Sequence, residues 1–326
     1  MIYPRRTVLL LGATLAATLS LGACGDGGGA PAPPSPIGAI SVVTSTNVYG
    51  DIAKAVGGSH VAVHAIVSNA GADPHGYEAN AQDKLAVSKA QIGIENGGGY
   101  DDFFAQLAKG QLGPEQILNV SELSGLDTGP DFNEHLWYSL PTMATLADEL
   151  ATRFSAAAPA EAASFEAQAA AFKEKLQQLE DRVQLVKDAH GGSDIAVTEP
   201  VPVYLLEQAG LVNKTPEKFT EAVENGADVP AAVMTDTLSL MASGTMALLA
   251  NNEQTESPQT IEVKEAAQKA GTPVVDFSET LPAGTSYLDW MTANVAAVEK
   301  ALGASAPSAA GTADSGATAS AAAPAK

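Results

Sequence analysis

Between residues 161 and 190 the chain carries one uninterrupted apolar stripe, and that stripe limits the possible folds more than any other feature. Phe165, Phe172, Leu176, Leu179, Val183 and Val186 recur at spacings of 7, 4, 3, 4 and 3, which is one face of an α-helix. About 28 helical residues would span roughly 42 Å, enough to run the height of two lobes. The flanking sequence has a different rhythm. Before the stripe, Ile40–Thr44 reads as a strand, a helix starts near Asn47 and stops at Gly57-Gly58, and His60–Val67 reads as a second strand. Asp83–Ala90 then reads as a helix and Gln91–Glu95 as a short strand, and a further helix begins near Leu140-Pro141. After the stripe, Asp194–Thr198, Met246–Ala250 and Pro273–Phe277 read as strands. Val201–Ala209, Ser257–Ala270 and Ser286–Leu302 read as helices, and Ala231–Asp236 fits either a short helix or a strand edge. Strands alternating with helices argue for parallel sheets covered by helices. The expected fold class is therefore α/β, with two parallel-sheet lobes joined by one long rigid linking helix. The expected bounds are 39–158 for the first lobe, 159–190 for the linking helix and 191–302 for the second lobe.

The ends carry other signals. Arg5 and Arg6 precede a mostly apolar run from Val8 to Ala17, the length of a signal-peptide core and short for a membrane span. Leu21-Gly22-Ala23-Cys24 then resembles a bacterial lipobox, in which cleavage precedes the Cys and its sulfur takes a lipid. Residues 1–23 are read as a signal peptide, and 24–38 as the lipidated Cys24 and a flexible Gly/Pro-rich tether. Residues 303–326 are read as a disordered Ala/Ser/Gly tail. Cys24 is the only cysteine, so no disulfide forms within the chain. A diacylglyceryl group with an acyl chain supplies the two anchors that stable attachment needs. The expected location is extracytoplasmic, on the outer face of the cell membrane or the periplasmic side.

The chain holds 17 Lys and Arg against 38 Asp and Glu, a net charge of −21. That excludes a nucleic-acid binder, which needs a basic footprint, and suits a protein that attracts cations. With only five histidines, each placement is informative. His75, in Asp73-Pro74-His75-Gly76-Tyr77-Glu78, falls in a loop after a predicted strand, where open α/β sheets bind ligands. It reads either as a ligand or as a loop-packing side chain. His135, in Asn133-Glu134-His135-Leu136-Trp137-Tyr138, reads either as a ligand or as part of an aromatic cluster. His60 and His64 read as strand-surface residues, and His190 as the favourable cation at a helix C-terminus. Glu199 and Glu279 each follow a predicted strand, as either ligands, helix caps or solvated charges.

Taken in order, Asp73–Glu78, His135-Leu136-Trp137, Thr198-Glu199-Pro200-Val201 and Phe277-Ser278-Glu279-Thr280 resemble the cluster A-I metal-binding lipoproteins. These are the zinc and manganese solute-binding proteins of ABC importers. The resemblance covers about residues 40–302 and includes Asn251–Pro258 and Tyr287-Leu288-Asp289-Trp290-Met291. It implies two α/β lobes with a rigid linking helix and one divalent transition-metal ion, zinc or manganese, held between them as cargo. It implies metal ligands at His75, His135 and Glu199, with the fourth at Glu279 and Asp276 in reserve. The sequence departs from the family pattern at Glu134, where a Pro is usual, and at Glu279, where an Asp is usual. The implied partner is an ABC transporter permease, the implied state a monomer, and no enzymatic activity is expected. Two neutral imidazoles and two carboxylates would neutralise a divalent cation. The competing readings are a receptor for a non-metal solute, which would need arginines or stacked aromatics, a structural or adhesive lipoprotein, and a metallohydrolase. A catalytic metal keeps an open position for water, and no His-Glu-x-x-His motif is present.

Overall fold

The computed structural model describes residues 38–69, 74–127, 129 and 132–303. The expected signal peptide, Cys24, the tether as far as residue 37 and the tail from residue 304 lie outside the described residues. Each lobe is a four-stranded, fully parallel sheet. In the first, β1 (Ile40–Thr46), β2 (Val61–Val67), β3 (Ile92–Glu95) and β4 (Ile117–Asn119) lie in the order β2-β1-β3-β4. In the second, β5 (Asp194–Val197), β6 (Val212–Asn213), β7 (Leu249–Asn252) and β8 (Val274–Phe277) repeat that order as β6-β5-β7-β8. The order reverses between β1 and β3, and again between β5 and β7. Those two points are where doubly wound sheets open a crevice at their carboxyl ends.

Helices α1 (Asn47–Gly57), α2 (Ala81–Lys89), α3 (Asp102–Ala108), α4 (Val120–Ser124) and α5 (Leu140–Ala157) belong to the first lobe. The linking helix α6 is Ala162–His190, and its 29 residues bury Phe165, Ala169, Phe172, Leu176, Leu179, Val183 and Val186 along one stripe. Helices α7 (Val203–Gln208), α8 (Glu217–Glu224), α9 (Ala231–Ala242), α10 (Pro258–Ala270) and α11 (Tyr287–Ala301) complete the second lobe. Local chemistry sets several bounds. Asn80 caps α2 reciprocally with Asp83, which starts the helix two residues earlier than its apolar pattern suggests. Ser139 caps α5 and Ser257 caps α10, each with a Pro in the first turn, and Gly271 closes α10 in the left-handed conformation.

Strand parity divides the core. Val42, Ile92, Ile94, Ile195, Val197, Ala250, Val275 and Phe277 face one cluster that also contains the α6 stripe and residues of α1, α5, α7 and α11. The opposite faces carry separate clusters: Val43, Ile66 and Val67 with Val87 and Phe104, and Ala196 and Leu249 with Phe219, Met241 and Val263. One core therefore runs through both lobes, with a satellite on the outer face of each.

Three expectations are corrected. His60 is not on a strand; it sits in the tight turn Gly58–His60, pairs with Glu161 at 3.5 Å and packs edge-on against Phe165. Residues Met246 and Leu248 lie before β7, whose ladder covers Leu249–Asn252, because pairing with β5 and β8 rather than apolarity fixes the strand. Ala231–Asp236 is the first half of a helix that continues to Ala242. Among the described residues no helix is long and apolar enough to cross a membrane.

Candidate metal centre

The carboxyl ends of both sheets supply the polar groups. The turn after β3 has three consecutive glycines with positive φ, Gly97, Gly98 and Gly99, a conformation costly for other residues. It lets the Asp101 carboxylate accept the Asn96 and Gly97 amide hydrogens at 2.7 and 2.8 Å. It also delivers Tyr100, fully buried, to the cleft. His75 comes from the loop after β2, His135 from the segment leading to α5, Glu199 from just beyond β5, and Glu279 from just beyond β8.

Three of these four converge. Ligand atoms of His75, His135 and Glu279 all lie within 4.8 Å of one another. His75 Nε2 stands 3.9 Å from Glu279 Oε2. An ion with bonds of about 2.1 Å in tetrahedral geometry needs donors about 3.4 Å apart, so a contraction of about half an ångström would complete that edge. Glu199 is tied to the group through Asn252: the Asn252 amide donates to Glu199 and, at 2.8 Å, to Glu279 Oε1. Thr255 Oγ1 also donates to Glu199 Oε2 at 2.7 Å. The reserve position, Asp276, is not brought to the group. Side chains alternate along β8, so Asp276 points outward and accepts from Lys264 Nζ at 3.1 Å and from Asn251 at 2.8 Å. His64 is exposed on β2, and His190 ends α6.

His135 is 1% exposed, and its tautomer can be assigned from its neighbours. Asn133 Oδ1 lies 2.7 Å from His135 Nδ1 and also accepts the His135 amide hydrogen at 3.1 Å. The same amide donates through Nδ2 to the carbonyl of Pro200 at 2.9 Å, which fixes which end of Asn133 is oxygen. Nδ1 therefore carries the proton and Nε2 presents a lone pair. Burial, reinforced by His75, holds the His135 imidazole well below its ordinary pKa, so it stays neutral and able to coordinate. Tyr100 closes the site: its hydroxyl donates to Glu279 Oε2 at 3.3 Å, and its ring meets that of His75 edge-on at 4.8 Å. Trp137 packs behind both Tyr100 and His135.

Tyr100 and Glu224 carry no local signal in the sequence, and Asn252 lies in the Asn251–Pro258 segment of the resemblance without a role assigned to it. Glu224, at the end of α8, forms a second group with Glu134 and His135, again with ligand atoms within 4.8 Å. Burial, together with repulsion from Glu134, Glu199 and Glu279, pushes the Glu224 carboxyl up to about 8. Burial also raises Glu134, partly opposed by His75. Carboxyls held back from ionising by burial and by one another would ionise more readily beside a cation.

The family model for the periplasmic zinc-uptake complex component A, ZnuA, matches residues 42–301. The manganese-binding lipoprotein MntA of Bacillus subtilis (strain 168) is 30% identical over 163 residues, 48% of this chain and 52% of that protein, so the match spans about half the relative's length. The periplasmic zinc binding protein TroA of Treponema pallidum is similar in fold, with a TM-score of 0.67 at 20% identity over 81% of this chain and 99% of that one. A mutant, manganese-bound periplasmic metal binding protein of Candidatus Liberibacter asiaticus superposes with a TM-score of 0.64 at 20% identity, over 80% of this chain and 98% of that one.

Proposed function

Because the chain belongs to the ZnuA family, we propose that it is a non-enzymatic solute-binding protein that captures one zinc or manganese ion outside the cytoplasm and delivers it to an ABC importer. The observation that carries this reading is the convergence of donor atoms from His75, His135 and Glu279 within 4.8 Å. These residues lie far apart in sequence and meet at facing sheet ends, with Glu199 tied to them by Asn252. In this reading His75 and His135 donate nitrogen, and Glu279 and Glu199 supply oxygen and the two negative charges that neutralise the ion. The donor set suits either zinc or manganese, since nitrogen and carboxylate oxygen serve both. The relatives support both ions too: TroA is named for zinc and MntA for manganese.

The lipobox at Leu21–Cys24 supports processing at Cys24 and a lipid anchor that keeps the protein on the outer face of the membrane. The lobe, linker and tail bounds read from the sequence belong to the same proposal, as does a monomeric state with a permease as the partner.

The test is metal-depleted protein titrated with zinc and with manganese, in competition with a chromophoric chelator and followed by melting. Bound ion should raise Tm in proportion to RT ln(1 + [L]/Kd), at one equivalent. His135→Ala and His75→Ala should each abolish tight binding. A melting temperature that neither ion moves would refute the reading.

A further inference from the structure

His135 belongs to two groups of donors, not one. The first, with His75 and Glu279, is the proposed cargo position. The second joins Glu134 and Glu224, with its ligand atoms also within 4.8 Å of one another. Glu134 precedes His135 in the chain, while Glu224 reaches it from α8 of the other lobe. Glu224 Oε1 is buried and accepts no hydrogen bond among the described residues. Leaving a buried carboxylate oxygen without a donor is costly, so a visiting cation would relieve it.

A cavity of about 770 Å³ reaches one member of each group, His75 and Glu224. His75, Glu224, Asp228 and Glu256 are among its lining residues. Its wall therefore carries three carboxyl side chains, which draw cations toward the cleft. The second group offers one nitrogen and two carboxylates, leaving room for the ion to keep part of its water. The cargo group adds a second imidazole and the Asn252-linked pair of carboxylates. An ion moving from the outer to the inner group would shed its waters in stages. His135 can bind only one ion, because Asn133 holds its Nδ1 proton. The two positions are therefore alternatives.

We propose that Glu134, His135 and Glu224 form a second, outer cation position, which captures the divalent ion at the cavity and passes it to His75, His135 and Glu279. This inference rests on the cargo reading above, and a three-way comparison separates the two. The protein and its variants are titrated with zinc and with manganese, with folding checked by circular dichroism. The protein itself should bind one equivalent; if it binds neither ion, the cargo reading fails. With the inner group disabled (His75→Ala with Glu279→Gln), one equivalent should still bind, more weakly, and adding Glu224→Gln should weaken that residual binding tenfold or more. In the otherwise unaltered protein, Glu224→Gln should slow association several-fold in stopped-flow mixing while one equivalent still binds. If the protein binds its ion but residual binding is absent or indifferent to Glu224→Gln, the outer position is overturned.

Discussion

In the proposed function, His135 can serve as a donor because of Asn133. The Asn133 carboxamide holds the imidazole proton on Nδ1 and ties the histidine segment to Pro200, the residue after Glu199. A single side chain thus fixes a tautomer and joins segments that contribute to the same centre. Losing an outer partner of a metal-binding histidine typically costs about tenfold to a hundredfold in affinity. Asn133→Ala should weaken zinc binding by about tenfold or more, and, by leaving the buried His135 Nδ1–H without an acceptor, should cost the metal-free protein about 1–3 kcal/mol. Asn133→Asp, which keeps the acceptor at Nδ1, should recover most of that loss; equal loss in both variants would mean that Asn133 merely packs. This scale also shows why the site was only partly legible. His75, His135, Glu199 and Glu279 each stand in a short segment beside a predicted element, so local pattern could single them out. Tyr100 touches Glu279 across 179 positions and Asn252 touches it across 27. Glu224 ends an amphipathic helix with nothing local to mark it. Their importance comes from which strand ends face one another, and that is settled by tertiary packing.

The decisive element is α6. Its stripe was readable because seven buried side chains on one helical face leave an unmistakable period. The short strands were harder. β6 is two residues long, and β7 ends in two buried asparagines, against the usual apolar rule; Asn252 bonds Glu199 and Glu279, while Asn251 pairs with Asp276. On α6, Phe172 is 3% exposed and its ring meets Tyr287 of α11 at 6.0 Å. Tyr287 in turn donates to the carbonyl of Trp137, behind the histidines, at 2.7 Å. Phe172→Ala opens a cavity in the shared core and should cost about 3–5 kcal/mol in urea denaturation of the metal-free protein. Metal affinity should change far less, because Phe172 contacts no donor residue directly. A large loss of affinity with small destabilisation would show that α6 positions the site itself.

At the scale of the whole molecule, buried titratable groups set how stability depends on pH, and they act in opposite directions. His135 is held well below its ordinary pKa. The stability it contributes is complete above the unfolded value of about 6.5 and is lost as pH falls below that. Glu224 and Glu95 behave conversely. Burial, with nearby acidic groups, raises them to about 8 and about 7 respectively. Their contribution is present below the unfolded value of about 4.5 and is lost as pH rises through 7 and 8. The metal-free protein should therefore melt at a higher temperature at pH 6 than at pH 8.5. Because one core runs through α6 and both lobes, it should melt in a single transition. Glu224→Gln removes the charge that develops near pH 8 and should narrow the gap between the two pH values. A bound divalent cation beside Glu134 and Glu224 should narrow it further by compensating that charge. Melting curves of both proteins at pH 6 and 8.5, with and without zinc, decide the matter; an equal gap in the Glu224→Gln variant would mean that the alkaline loss arises at Glu95 instead.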